Sequence, residues 1–218
     1  MTARKSGAGW AVKVAAGLKN LYPTARVSLD HANPLELLVA TILSAQCADE
    51  RVNQVTKTLF KKYRSAADYA ISPPGELEED IHSTGFYKIK AKSIRKCAAD
   101  IVAKHGGAVP RTMEELTALA GVGRKTANVI LSQAFGQPGV VVDTHVIRVS
   151  GRLGLTLHEE PEKIERDLMA QLPEREWADF SGRMILFGRN ICKARLPLCS
   201  QCSLLADCPW EGKTLSRP

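Results

Sequence analysis

The sequence has 218 residues, 44% of them hydrophobic, which allows a buried core in one domain or two small lobes. No apolar run approaches the length that spans a membrane, and the stretch Ala11–Leu18, interrupted by Lys13, makes a poor secretory signal. A formal net charge of +7 and a pI near 9.2 favour a polyanionic partner.

In chain order, residues 1–26 carry five Lys/Arg and no acid, read as a basic arm in preference to a mitochondrial presequence. Asn33-Pro34 is an N-cap followed by Pro at the first helical position. Leu35, Leu38, Ile42 and Ala45 then share one face. Asp49 is expected to cap a second helix with the stripe Val52, Val55, Thr56, Leu59 and Phe60. Ser72-Pro73 opens a short third helix through Leu77 and Ile81, stopped near Gly85. Ile94, Cys97, Ala98, Ile101 and Val102 line a fourth, ended by Gly106-Gly107. Thr112 with Glu115 is a capping box for a fifth. Ala127, Ile130, Leu131 and Ala134 mark a sixth, and Trp177, Phe180, Met184, Phe187 and Ile191 another. The one strand-like run, Val140-Val141-Val142, is too short to argue for a sheet. The fold class is therefore all-α, with the best internal break at Gln137-Pro138-Gly139.

Charge is unevenly spread. Residues 88–104 carry six Lys/Arg against one acid, and 183–195 hold Arg183, Arg189, Lys193 and Arg195 with none. Acids gather between Glu159 and Asp179. One face could be basic, although solvated helix faces give the same pattern.

Four of the six cysteines form Cys192-x6-Cys199-x2-Cys202-x5-Cys208. Four closely spaced thiolates can wrap one metal centre. Zinc stays open, although structural zinc sites more often use two Cys-x2-Cys pairs. Cys47 and Cys97 are expected on helices as buried structural thiols.

Residues 119–128 read Leu-Ala-Gly-Val-Gly-Arg-Lys-Thr-Ala-Asn: a helix ends, a glycine turn follows and a new helix begins. Gly121 and Gly123 could take angles closed to other residues and let backbone N–H groups meet a phosphate at a helix N-terminus. Lys125 lies in the first turn of that helix, as a phosphate ligand or as a nucleophile whose pKa is lowered by desolvation and helix-end charge. Eighteen residues on, Val142-Asp143-Thr144-His145 offers Asp143 as an N-cap or as a functional carboxylate opposite Lys125. A carboxylate would raise a neighbouring lysine's pKa, so Asp143 would act as proton acceptor or cation stabiliser.

Taken in order, Leu43-Ser44-Ala45-Gln46, Gly85-Phe86-Tyr87, Gly121-Val122-Gly123-Arg124-Lys125-Thr126-Ala127-Asn128, Val142-Asp143-Thr144-His145 and the four-cysteine loop resemble the endonuclease III family over roughly residues 10–210. The resemblance implies a two-lobed helix-hairpin-helix DNA glycosylase fold. A six-helix barrel would span residues 27–137, and residues 1–26 with 138–218 would hold a [4Fe–4S] cluster on Cys192, Cys199, Cys202 and Cys208. It further implies a monomer acting on double-stranded DNA with damaged bases or abasic sites, bacterial, cytoplasmic and nucleoid-associated. Catalysis would fall to Lys125 and Asp143, which would face each other across a DNA-binding cleft. Gln46 would fill the space of a flipped base and Phe86, where the family commonly has leucine, would wedge the duplex. DNA contacts would also come from Gly121, Val122, Gly123, Arg124, Thr126, His145, Arg189, Lys193 and Arg195. Damaged, oxidised pyrimidines are the lesion class that the family implies. The rivals are an adenine-mismatch glycosylase, disfavoured by Lys125 and by the ten residues after Cys208, and a non-catalytic DNA-binding module with structural zinc, which leaves Lys125 and Asp143 unexplained.

Overall fold

A computed structural model describes residues 7–24 and 29–214. Among the described residues there are eleven α-helices and no strand: α1 (Ala8–Leu21), α2 (Pro34–Leu43), α3 (Asp49–Lys62), α4 (Ala66–Ala70), α5 (Glu76–Asp80), α6 (Tyr87–His105), α7 (Met113–Thr117), α8 (Arg124–Ala134), α9 (Thr144–Arg152), α10 (Pro161–Gln171) and α11 (Trp177–Asn190). The chain divides into two compact units, one made of Ser28–Gln137 and one of Met1–Val27 with Pro138–Pro218. The boundary expected at residue 27 lies outside the described residues.

In the contiguous unit, Asn33 caps α2 by accepting the Glu36 N–H at 3.0 Å, and Glu36 returns to the Ala32 N–H at 2.6 Å. Leu37, Leu38, Val39, Ala40, Ile42 and Leu43 are all buried, so α2 is surrounded rather than one-faced. It packs on α3, α6 and α8. Truncating a fully buried leucine in such a helix costs about 2–5 kcal/mol. Helix α6 ends on Gly106, whose φ of 60° is open to glycine and strained for other residues. Arg95 on α6 clamps the segment before it: its guanidinium donates to both Glu78 oxygens at 2.5 and 2.6 Å, to Ser72 Oγ and to Pro73 O. That bond holds the Glu78 carboxyl down at about 2.

The discontinuous unit packs α1 against α10 and α11, and α9 against α11. Its core includes Trp10, Val14, Leu18, Val146, Val149, Ile164, Leu168, Phe180, Met184 and Phe187. Trp10 Nε1 donates to Leu153 O at 2.6 Å. Val140–Val142 is buried and in neither helix nor strand, with the Val141 N–H on Ser181 Oγ at 2.9 Å.

The structure departs from the sequence-based expectations at several positions. Within the run read as a basic arm, α1 buries Trp10, Ala11, Val14, Ala15 and Leu18 and leaves Lys13 and Lys19 outside. Arg4, Lys5 and Arg26 lie outside the described residues. Asp49 is the first residue of α3, and Ala48 holds the cap position. Ser72 does not start a helix; its hydroxyl donates back to Tyr69 O, and α5 begins after Gly75. Ala45 is exposed beyond the end of α2, and Val102 is 41% exposed. Arg183 and Lys90 leave the surface: Arg183 is 2% exposed and paired with Glu176 and Asp179, and Lys90 is 4% exposed. Cys97 is buried on α6, but Cys47 sits in the turn between α2 and α3 and is half-buried.

Candidate active site and cysteine loop

In the contiguous unit, α7 starts on Thr112, which accepts the Glu115 N–H at 3.3 Å. After it, Leu119 and Val122 turn inward and Gly121 takes φ +77°. A Cβ on Gly121 would lie 2.9 Å from the Cβ of Ser93 on α6, so glycine is required by conformation and by packing. Gly123 differs from expectation: its φ is −91°, an ordinary value, and a Cβ there would meet nothing within 4 Å. It is the N-cap of α8, which no side chain caps and whose first turn holds no acid. Arg124, Lys125 and Thr126 occupy that turn instead, the first two exposed. Two cations at a helix N-terminus oppose the macrodipole by about 0.3–1 kcal/mol each, so helix stability does not explain them.

In the discontinuous unit, Asp143 ends the buried valine run and caps α9. Its Oδ1 accepts the N–H groups of His145 and Val146 at 2.8 and 2.9 Å. The capping role is therefore real, and it uses one oxygen of a half-buried carboxylate. His145 Nδ1 lies 3.1 Å from Arg148 Nη2, and burial lowers its pKa.

The four cysteines follow α11 and line one small cavity of about 20 Å³, with Leu153, Phe187, Ile191, Pro197, Leu205 and Trp210 and with the charged Arg152 and Lys213 also in its wall. Burial pushes the Cys202 and Cys208 thiols up, and the neighbouring cysteines add to the effect. Among the described residues, no group of three or more His, Cys, Asp or Glu closes into a compact ligand set. Two residues missed from sequence organise this loop. Arg152 donates to Lys193 O at 2.7 Å, Ala194 O at 3.1 Å and Cys192 Sγ at 3.5 Å, and stacks on Trp210 at 3.9 Å. Arg148 donates to Gly188 O at 2.8 Å and Cys192 O at 3.1 Å. Their signal was two arginines four apart on the helix that Asp143 caps. Arg189, Lys193 and Arg195 are exposed around the loop.

Gln46 and Phe86 are both exposed and both left-handed, with φ of 54° and 48°. Non-glycine residues in this region carry strain. Phe86 is 60% exposed at the N-cap of α6.

The family model of the HhH-GPD superfamily, described as base excision DNA repair proteins, matches residues 39–174. The chain is 55% identical over 193 residues to the endonuclease III of Synechocystis sp., covering 88% of each chain. The chain belongs to the endonuclease III family. Two solved endonuclease III structures are similar to it. A non-covalent endonuclease III–DNA complex gives a TM-score of 0.87 at 48% identity, covering 91% of this chain and 93% of that one. A trapped endonuclease III–DNA covalent intermediate, an estranged-adenine complex, gives 0.86 at 48%, covering 91% and 95%. The span matched by the superfamily model contains Gln46, Phe86, the glycine turn, Lys125, Asp143 and His145, whereas the cysteine loop lies beyond it.

No helix among the described residues is long and apolar enough to cross a membrane.

Proposed function

We propose that this chain is a bifunctional DNA N-glycosylase and AP lyase of base excision repair, acting on duplex DNA with damaged pyrimidines or abasic sites. The observation that carries this reading is the N-terminus of α8: uncapped, without acid, and bearing Arg124 and the exposed Lys125 behind the left-handed Gly121. Such an end binds anions through backbone N–H groups, and the similarity to a trapped covalent endonuclease III–DNA intermediate adds weight to a covalent mechanism. The damaged nucleotide leaves the stack at a cost of a few kcal/mol, least for lesions that already pair poorly. Lys125, as free amine, attacks C1′, and the glycosidic bond breaks with its electron pair going to the base. Asp143 accepts the proton shed by the amine or stabilises the developing cation. Ring opening gives a Schiff base, which acidifies C2′. Loss of that proton expels the 3′ phosphate and nicks the strand. Gln46 occupies the vacated space, and Phe86 is the apolar wedge. Arg124, Thr126, His145, Arg189, Lys193 and Arg195 bind phosphate or sugar, and the setting is the bacterial nucleoid. Duplex DNA with an oxidised thymine, incubated with the protein and borohydride, tests the reading: a covalent adduct is expected, and its absence on both this duplex and one with an abasic site would refute it.

The backbone of the glycine turn and α8 holds phosphate, which carries no sequence information. Gly123→Asp is therefore expected to keep or raise thermal stability, because aspartate is a better N-cap and suits the dipole. The same change should weaken binding to damaged and undamaged duplexes alike, roughly tenfold or more, by repelling phosphate. A loss confined to lesion-bearing DNA, read by fluorescence anisotropy, would make the turn a damage reader instead.

The endonuclease III family carries a [4Fe–4S] cluster. The residues fit one: four soft donors share one small cavity, and Arg152 places a guanidinium within reach of the Cys192 sulfur. Cys192, Cys199, Cys202 and Cys208 would hold it. When bound it supplies a redox-capable inorganic cross-link that fixes the loop. Protein purified without oxygen should contain about four irons and four acid-labile sulfides per chain. One zinc and no sulfide would refute the assignment.

A further inference from the structure

Lys90 belongs to a run that reads as a basic surface, yet it is 4% exposed. Its ammonium donates to Leu43 O at 2.7 Å and to Thr84 O at 2.8 Å. No carboxylate pairs with it among the described residues. An ammonium buried on two neutral carbonyls is an expensive way to fill space, and an apolar side chain of the same volume would pack there at less cost. What it gains is position. Leu43 O is a terminal carbonyl of α2, three residues before Gln46. Thr84 O precedes Gly85 and Phe86, which take φ of 69° and 48° in succession. One buried cation therefore pins the roots of two exposed, left-handed residues that are 40 positions apart in sequence. Backbone strain of this kind persists only where the surroundings over-determine it. We propose that Lys90 is a positioning residue for nucleotide extrusion: it fixes the turns carrying Gln46 and Phe86 so that both enter the duplex in register. This rests on the reading that Gln46 and Phe86 act inside the helix.

The test compares two substrates in single turnover: a duplex with a paired oxidised thymine, and the same duplex with a preformed abasic site, where no base has to be unstacked. Lys90→Met keeps the volume and removes both hydrogen bonds. It is expected to slow excision from the paired lesion on the order of 10- to 100-fold while nicking at the abasic site falls only about twofold to threefold. A 2-aminopurine beside the lesion should show a matching loss of unstacking. Lys90→Gln, which keeps two amide donors, carries the same comparison if the methionine variant does not fold, and should lie between Lys90→Met and wild type. Equal slowing on both substrates would reduce Lys90 to a general structural role and overturn the proposal, as would wild-type rates on both. Wild-type protein inert on both substrates would overturn the functional reading, and this proposal with it.

Discussion

Lys125→Gln is expected to lose the borohydride-trapped adduct and strand nicking together, by on the order of 10⁴-fold or more. Glutamine keeps the length of the side chain approximately, but its amide nitrogen has no free lone pair and cannot form an imine. The protein should fold normally. Lys125 is exposed, and removing a cation from the N-terminus of α8 relieves an unfavourable dipole interaction of a few tenths of a kcal/mol. Affinity for duplex DNA should fall only a few-fold, with the salt dependence reduced by about one ion, since one phosphate contact among several is lost. A Lys125→Gln protein that still nicks and still traps would assign the chemistry to another amine.

Asp143→Asn should separate two roles that one side chain performs. Oδ1 caps α9, and an asparagine oxygen can accept the same His145 and Val146 N–H groups. The melting temperature should therefore stay close to wild type. Base excision should fall roughly 10²- to 10⁴-fold, because the amide can neither accept a proton nor balance a positive charge. Asp143→Ala loses the cap as well and should cost about 0.5–2 kcal/mol of stability. If the aspartate were only a cap, excision would be near normal in Asp143→Asn and would track stability in Asp143→Ala. Single-turnover rates and thermal melts on the two variants decide between these patterns.

Local chemistry was legible in the sequence where it acts over a few residues. Asn33-Pro34, the Thr112–Glu115 pair and Gly106 mark helix ends as side-chain and glycine rules require. The cysteine spacing and the Gly-Val-Gly turn likewise carry their meaning in one short string. Short helices were harder: α4 has five residues, and its Ser65–Asp68 capping box is followed by no apolar stripe long enough to show a period. Helix α10 was missed because its charged residues mask Ile164 and Leu168. Charged side chains depart furthest from what their local sequence suggests. Arg183 and Lys90 read as surface because one acceptor of each is distant in sequence, Tyr22 O for Arg183 and Leu43 O for Lys90, while Glu176, Asp179 and Thr84 O are supplied from nearby. The same non-locality hid Arg148 and Arg152, whose acceptors lie about 40 residues downstream. Gly123 departs the other way: a glycine suggests special dihedrals, but the space in front of it is what matters there.

Because α1 belongs to the unit completed by α9, α10 and α11, the order in which the chain is synthesised becomes a folding problem. The first helix leaves the ribosome with Trp10, Val14 and Leu18 in need of cover, and roughly 120 residues separate it from α9, or about 6–25 seconds of translation. The contiguous unit can fold during that interval from its own local contacts. Trp10 must wait for Leu153. The nascent chain thus passes through a half-built state with an apolar helix trailing from a finished domain, the species in which chaperone binding and aggregation compete with completion.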